Sequence, residues 1–275
     1  MTALWRRWVW VVLAISLAPA ACQAETSPAA TAPPAATAPP GASEKQREDV
    51  DRWLDRIAER HKQIQTLHAT LVYDRIQGLL EDQQRRFGDL VYVAGPPAQF
   101  AVHFDRLLVE DRLDAQDRWY IFDGRWLVER LDDRKQFTAY EIVSPDAEAG
   151  QTDPLALGRG PFVVPLGADV NRLRERFDVQ LAAEQEDDPA DSVHLTLRPL
   201  PQTRIEHTQI DIWYDRQTLL PLRVRTIDDS ENESIIVLSG HEVNVAVDPS
   251  TIDTTAPTDR GWDVSITPWT SPEEE

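Results

Sequence analysis

The chain has 275 residues and a formal net charge of −19, from 28 Lys and Arg set against 47 Asp and Glu. So large an acidic excess disfavours nucleic acid and anionic membrane surfaces as direct partners, because both repel it. The single cysteine, Cys22, leaves no intramolecular disulfide to form, so the fold must stand on its core alone.

The chain opens with a basic pair, Arg6 and Arg7, followed by an apolar run from Trp8 through Leu17 and Ala18 that ends in small residues and proline. A bilayer-spanning helix needs about 20 predominantly apolar residues. This run is shorter, so residues 1–21 have the pattern of a cleaved signal peptide and the chain is expected in the periplasm. Cys22 follows Pro19-Ala20-Ala21 directly, a placement that resembles a lipobox, although Pro19 stands where an aliphatic residue is usual. Two outcomes stay open: lipid attachment at Cys22, or ordinary cleavage after Ala20 or Ala24.

Residues 22–42 form an Ala/Pro-rich spacer in which Ala-Ala-Thr-Ala-Pro-Pro occurs twice, from Ala29 and from Ala35. Such a stretch has no large apolar side chains to bury and extends semi-rigidly. Residues 43–275, roughly 230 in number, suit one large β-rich domain, and no second linker divides them.

That domain begins with Ser43 and Gln46 in capping-box spacing, then Val50, Trp53, Leu54, Ile57, Ile64 and Leu67 at three- and four-residue steps. The pattern predicts an amphipathic helix of about six turns. From Ala69 the period becomes two. Leu71 and Tyr73, then Leu90 and Tyr92 after Gly88, then Phe100, Val102 and Phe104 mark strands with one apolar face each. Trp119 to Phe122 and Trp126 to Leu131 flank Asp123-Gly124, a strong hairpin signal, and Phe137 to Ile142 follows as another strand.

After Asp153 the texture changes: Gly158, Gly160, Pro161, Pro165 and Gly167 break regular structure, and Ala168 to Phe177 predicts a short arginine-rich helix. Alternation resumes over Val193 to Leu197, Ile205 to Tyr214, Leu220 to Ile227 and Ser234 to Val245. Successive hairpins imply an α+β fold built on one large curved antiparallel sheet, an unclosed β-barrel, with the N-terminal helix and the inserted helical segment as its lid. Where helices cover the concave face only in part, an apolar cavity remains.

The order of parts resembles the periplasmic outer-membrane lipoprotein carrier family, the LolA-like proteins. The resemblance rests on residues 64–70, Gly88-Asp89-Leu90, Gly95-Pro96-Pro97 with Phe100, Phe122-Asp123-Gly124 with Trp126, Pro161-Phe162, and residues 195–199. It implies an unclosed barrel that shelters lipoprotein acyl chains, with Phe100 and Val102 on a cavity-lining strand and Phe162 where the lid meets the cavity. It also implies an inner-membrane donor and an outer-membrane acceptor protein as partners. One departure is Gly95, where the family's proteobacterial members carry an arginine that helps regulate lid closure. The lipobox-like cysteine and the spacer depart as well, and Trp262 and Trp269 in the tail have no counterpart.

Chemistry-bearing groups point elsewhere than catalysis. The histidines, His61, His68, His103, His194, His207 and His241, form no zinc-motif spacing, and neither a metal nor a cofactor is expected. The carboxylate pairs Asp132-Asp133, Glu186-Asp187-Asp188 and Asp228-Asp229 suit solvated turns. Gly158-Arg159-Gly160 is too short for a phosphate loop, and Pro161 removes a donor that such a loop needs. No enzymatic activity is expected.

The remaining signal is apolar. Leu71, Tyr73, Leu90, Tyr92, Phe100, Val102, Phe104, Tyr120, Phe122, Trp126, Phe137, Phe162, Leu195, Leu197, Ile210, Ile212, Val224, Ile236 and Leu238 are the candidate cavity residues, part of them serving as ordinary core. The expected function is a monomeric carrier of lipoprotein acyl chains or other lipid. Phe162, Val163 and Leu166 are its displaceable lid residues, and Arg75, Arg85 and Arg86 its rim charges. The alternatives are a membrane-anchored lipid- or lipoprotein-sensing module of the same fold, favoured if Cys22 is lipidated, and a hydrolase, which would require convergent His, Asp and Ser side chains in the cavity.

Overall fold

The computed structural model describes residues 44–78, 82–146, 166, 170–203 and 205–270; the side chain of Arg172 is not described. All of these belong to one compact unit, Gly41–Glu275. Residues 1–21, the spacer, Cys22, Ser43, Phe162, Val163 and Gly158-Arg159-Gly160 lie outside the described residues, as does most of the expected lid.

Helix α1 covers Glu44–His61, with Glu44 in its first turn and Arg60 in its last, matching the helix dipole at both ends. Val50, Leu54 and Ile57 form its buried stripe. The helix is 18 residues long, shorter than the periodicity predicts. Ile64 sits in the turn that follows, and Leu67 is already in the first strand, where it is fully buried. Both continue the helical spacing because they bury against the same core from a different element.

Twelve strands form one sheet: β1 Thr66–Gln77, β2 Asp82–Val93, β3 Gln99–Val109, β4 Arg112–Phe122, β5 Trp126–Leu131, β6 Gln136–Glu141, β7 Phe177–Leu181, β8 Ser192–Pro199, β9 His207–Asp215, β10 Pro221–Asp228, β11 Glu233–Val243 and β12 Asp263–Thr267. Their order is β12-β6-β5-β4-β3-β2-β1-β11-β10-β9-β8-β7. The chain thus meanders outward from β1 to β6, crosses through α2 (Val170–Arg176), and meanders back from β7 to β11, which closes on β1. Because β12 and β7 are both edges, the barrel is unclosed.

The sheet is antiparallel with one exception. β12 adds to β6 in parallel, reached by a long strap that leaves β11 and passes through a 3-10 turn at Pro249–Ile252. Parallel pairing needs such a crossover rather than a hairpin, which is why no turn signal announces β12.

Curvature has a local cause. The pairing slips between Phe87 and Gly88 on β2 and between Phe104 and Arg106 on β3, both irregularities that bend the strands that carry them. A Cβ on Gly88 would lie 1.8 Å from the His103 carbonyl oxygen, so only glycine permits β2 to approach β3 this closely. At the β4–β5 hairpin, Gly124 has φ +101 and lies against the Pro97 ring. Asp123 braces that turn by accepting hydrogen bonds from the backbone amides of Arg125 (2.8 Å) and Trp126 (2.7 Å).

Candidate functional site

The two faces of the sheet bury different things. On the inner face, one continuous apolar cluster draws residues from β1–β5 and β7–β11 together with Val50, Leu54 and Ile57 of α1 and Leu173 of α2. It contains Leu71, Tyr73, Leu90, Tyr92, Phe100, Val102, Phe104, Tyr120, Phe122, Leu195, Leu197, Ile210, Ile212, Val224, Ile236 and Leu238. Most of the sequence-derived candidates therefore share one surface.

Two do not. Phe137 is buried on the opposite face in a second cluster with Ala101, Ile121, Val128 and Ala139, and Trp126 packs against that cluster. Ile252, Ala256 and Trp262 of the strap cover it, which gives Trp262 its place. β5 is apolar on both faces and β6 is buried on its outer face alone, because the strap turns this stretch of outer face into interior. The backbone amide of Trp269 donates to Glu141 (3.0 Å), fastening the end of the strap.

The described helices lie towards one end of the inner face. α1 and α2 pack on β7, and Arg174 bridges them through Asp51 (2.8 Å) and Asp55 (3.3 Å). Arg60 of α1 donates to the Thr218 carbonyl in the β9–β10 turn (3.1 Å). An 18-residue helix is about 27 Å long, whereas twelve strands span roughly 50 Å across the sheet. Leu166, from the segment between β6 and α2, is only 1% exposed and belongs to the inner cluster. One of the expected lid residues therefore occupies the apolar interior.

The inner face is not uniformly apolar. Arg86 of β2 pairs across the sheet with Tyr73, and Arg118 of β4 with Phe104, so both arginines stand on the inner face at neighbouring positions in the register. Arg118 forms an ion pair with Glu129, which also accepts the Tyr120 hydroxyl (3.1 Å). Burial is the main reason the Tyr120 hydroxyl titrates far above its ordinary value. Of the expected rim charges, Arg85 instead points outward, donating to Asp74 with both nitrogens at 2.6 and 2.8 Å.

The outer face of β8–β11 carries a polar groove of about 780 Å³, lined among others by Asp74, Arg85, His194, Asp211, Arg225 and Glu233. Asp211 is 1% exposed. Its Oδ1 meets His194 Nε2 (3.0 Å) and Thr196 Oγ1 (2.7 Å), and Oδ2 accepts from Gln209 (2.7 Å). The loop between β7 and β8 folds over this cluster, with Asp188 accepting the Trp213 indole N–H (2.6 Å). Sequence reasoning passed over these residues because polar positions of β8 and β9 look solvated until that loop covers them.

This cluster lacks the geometry of an activated nucleophile. The Thr196 hydroxyl donates to the carboxylate rather than to the imidazole, so no hydroxyl-to-histidine-to-aspartate relay exists. Two of the arginines that line the groove are matched by carboxylates, Arg225 by Glu233 (2.6 and 3.0 Å) and Arg85 by Asp74. Among the described residues there is no group of three or more His, Cys, Asp or Glu able to hold a metal ion, and no helix long and apolar enough to cross a membrane.

No family profile and no curated protein matches the sequence. Among solved structures, the chain is similar to an uncharacterized conserved protein of Thermus thermophilus, at 12% identity and a TM-score of 0.45 over 80% of this chain and 99% of that one. It is also similar to the lipoprotein LppX of Mycobacterium tuberculosis, at 14% identity and a TM-score of 0.39 over 72% and 99%. A third neighbour is a LolA superfamily protein of Nitrosomonas europaea, at 9% identity and a TM-score of 0.33 over 72% and 94%. At these scores the likeness is distant, and what the chain does has to come from its own residues.

Proposed function

We propose that this chain is a non-enzymatic periplasmic carrier that holds the acyl chains of a lipoprotein or another lipid along its inner sheet face. The observation that supports this most is Leu166. A residue from the segment between two meanders lies within the apolar cluster of the unclosed sheet, in the position that an acyl chain would take. Exchange of one apolar group for another costs little, whereas each methylene taken from water contributes about 0.8 kcal/mol. A ligand would displace Leu166 and leave again when a partner offers an equally apolar surface.

The proposal extends to the parts outside the described residues. Residues 1–21 direct export, and residues 22–42 space the domain from whatever holds its start. Donor and acceptor proteins in the two membranes would load and unload the carrier. Lipidation at Cys22 would confine it to one membrane and turn the same cavity into a sensor.

The test is native mass spectrometry of the protein recovered from its own cell envelope, with organic extraction of what it holds. About one acyl-bearing molecule per chain is the expected result, and the mass of the N-terminal peptide reports the state of Cys22. A ligand-free protein that also takes up no fatty acyl probe would overturn the carrier reading.

A further inference from the structure

One patch of the inner face combines aromatic rings with an excess of positive charge. Tyr73, Phe104 and Tyr120 stand in a row across β1, β3 and β4, with ring centroids 6.0 and 6.3 Å apart. The Arg86 guanidinium lies 6.0 Å from the Tyr73 ring centre, and that of Arg118 lies 5.2 Å from the Tyr120 ring centre. Two guanidiniums therefore project over an aromatic floor, each against one tyrosine.

Their charges are not balanced. Glu129 pairs with Arg118. Arg86 donates to Gln84 Oε1 (3.0 Å), a neutral acceptor, and among the described residues no carboxylate pairs with it. The Nε atoms of both arginines are buried and have no hydrogen-bond partner. Burial, and next the positive charge of Arg118, hold the Arg86 guanidinium below its ordinary value. Arginine stays protonated in proteins, so the cost of leaving it half-desolvated is met by an anion or not at all.

From this patch the inner face runs on without charge. Along β2 it passes Leu90 to Tyr92, along β3 Val102 to Phe100, and along β4 Tyr120 to Phe122, all buried. At about 3.3 Å per residue, the six steps from Arg86 to Tyr92 span roughly 20 Å. A charged end and an apolar length are in line.

We propose that Arg86 and Arg118 together seat the oxyanion of an amphiphile, a carboxylate or a phosphate, whose acyl chain lies along the strands towards Phe100 and Phe122. This rests on the acyl-carrier reading and gives the ligand a polarity and an orientation. The planar guanidinium fork suits both oxyanions, since each presents two oxygens to paired N–H donors. Glu129 holds Arg118 in place and takes up half of the charge when the seat is empty.

The discriminating experiment compares hexadecanoate, hexadecyl phosphate, hexadecanol and inorganic phosphate in binding titrations with the delipidated full chain. The two anionic amphiphiles are expected to bind about tenfold or more tightly than the alcohol, and inorganic phosphate not at all. Arg86→Gln should erase the preference for the acid while leaving hexadecanol binding within twofold, and Arg86→Lys should restore part of it. Equal binding of acid and alcohol by the wild type overturns the oxyanion seat and leaves the acyl carrier standing. Binding of phosphate alone reassigns the arginines to a free anion. If neither acid nor alcohol binds, the carrier reading falls and takes the seat with it.

Discussion

His194 and Asp211 face each other across β8 and β9 on the outer face, Nε2 to Oδ1 at 3.0 Å, both nearly excluded from water. The imidazole stacks on Trp213 at 4.1 Å between ring centres, and the carboxylate collects further hydrogen bonds from Thr196 and Gln209. Burial by itself would raise the Asp211 value. The donors from His194, Gln209 and Thr196 outweigh it and hold the carboxyl below its ordinary range.

Asp211→Ala should therefore cost about 3 kcal/mol in urea unfolding, because it leaves buried donors without an acceptor. The pH dependence has a definite sign. A depressed carboxyl stabilises fully above its unfolded value, near 3.8, and that stabilisation is lost as pH falls through the folded value. Wild type should accordingly lose more stability than Asp211→Ala between about pH 5 and about pH 3. Acyl-ligand affinity at neutral pH should be the same in both, since the cluster faces away from the inner surface; a loss of affinity in a folded variant would tie the groove to the ligand.

A second pH effect belongs to α1. The His61 ring packs near Tyr214, 6.1 Å between centres, and its Nε2 is buried without a partner. Desolvation, with Arg60 beside it, pushes the value down to about 4 from 6.5. The folded state thus keeps His61 neutral while the unfolded state binds a proton, so stability is complete above 6.5 and declines as pH falls towards 4. Between about pH 7 and about pH 5 the loss should be roughly 1 kcal/mol, allowing for solvent screening of a site that is only partly enclosed. His61→Leu should flatten that segment of the stability curve. Equal slopes in the two proteins would show that His61 is hydrated.

Much of this architecture is legible in the sequence, and the misses share physical causes. Period-two patterning locates β1 to β6 and β8 to β11, since each needs one apolar face. It does not say which face is inner, so Trp126 and Phe137 join the wrong surface: β5 is apolar on both sides, and the buried side of β6 is the outer one, beneath the strap. β7 follows α2 without a turn, and β12 has Val264 and Ile266 at 40% and 53% exposure. Neither strand has the buried alternation that pattern reading relies on. Arg86 and Arg118 are ordinary charged strand residues in the sequence. Only the cross-strand register against Tyr73 and Phe104 turns them inward.

Leu166 offers a direct probe of the carrier reading. Leu166→Ala removes side-chain volume from the inner cluster, and truncating a residue that is simply core costs about 2 to 5 kcal/mol. A residue that yields its place to ligand should behave differently. Stability without ligand should fall by about 2 kcal/mol or less, while affinity for a fatty acyl probe rises several-fold, because less protein must be displaced. Calorimetric titration and urea unfolding of the same preparation measure both. A full core-sized loss with unchanged affinity would make Leu166 a structural residue only.

Trp262, Ile252 and Ala256 close over Ala101, Ile121, Val128, Phe137 and Ala139, and β12 hydrogen-bonds along the open edge of β6. An exposed edge beside an apolar patch templates pairing between chains. Trp262→Ala removes a large half-buried ring and should cost about 2 kcal/mol. Ending the chain after Val243 should do more, baring the whole cluster and the β6 edge at once. The truncated protein is expected to form soluble oligomers in light scattering at concentrations where the full chain is monomeric. Its inner apolar cluster should persist, since Ile252, Ala256 and Trp262 of the strap pack on the outer face, although the truncation also removes the Asn244 hydrogen bonds to Gln63 and Gln65. Acyl-probe binding per folded chain should therefore persist, and its loss in a monomeric truncated protein would mean that the strap holds the curvature of the sheet as well as its edge.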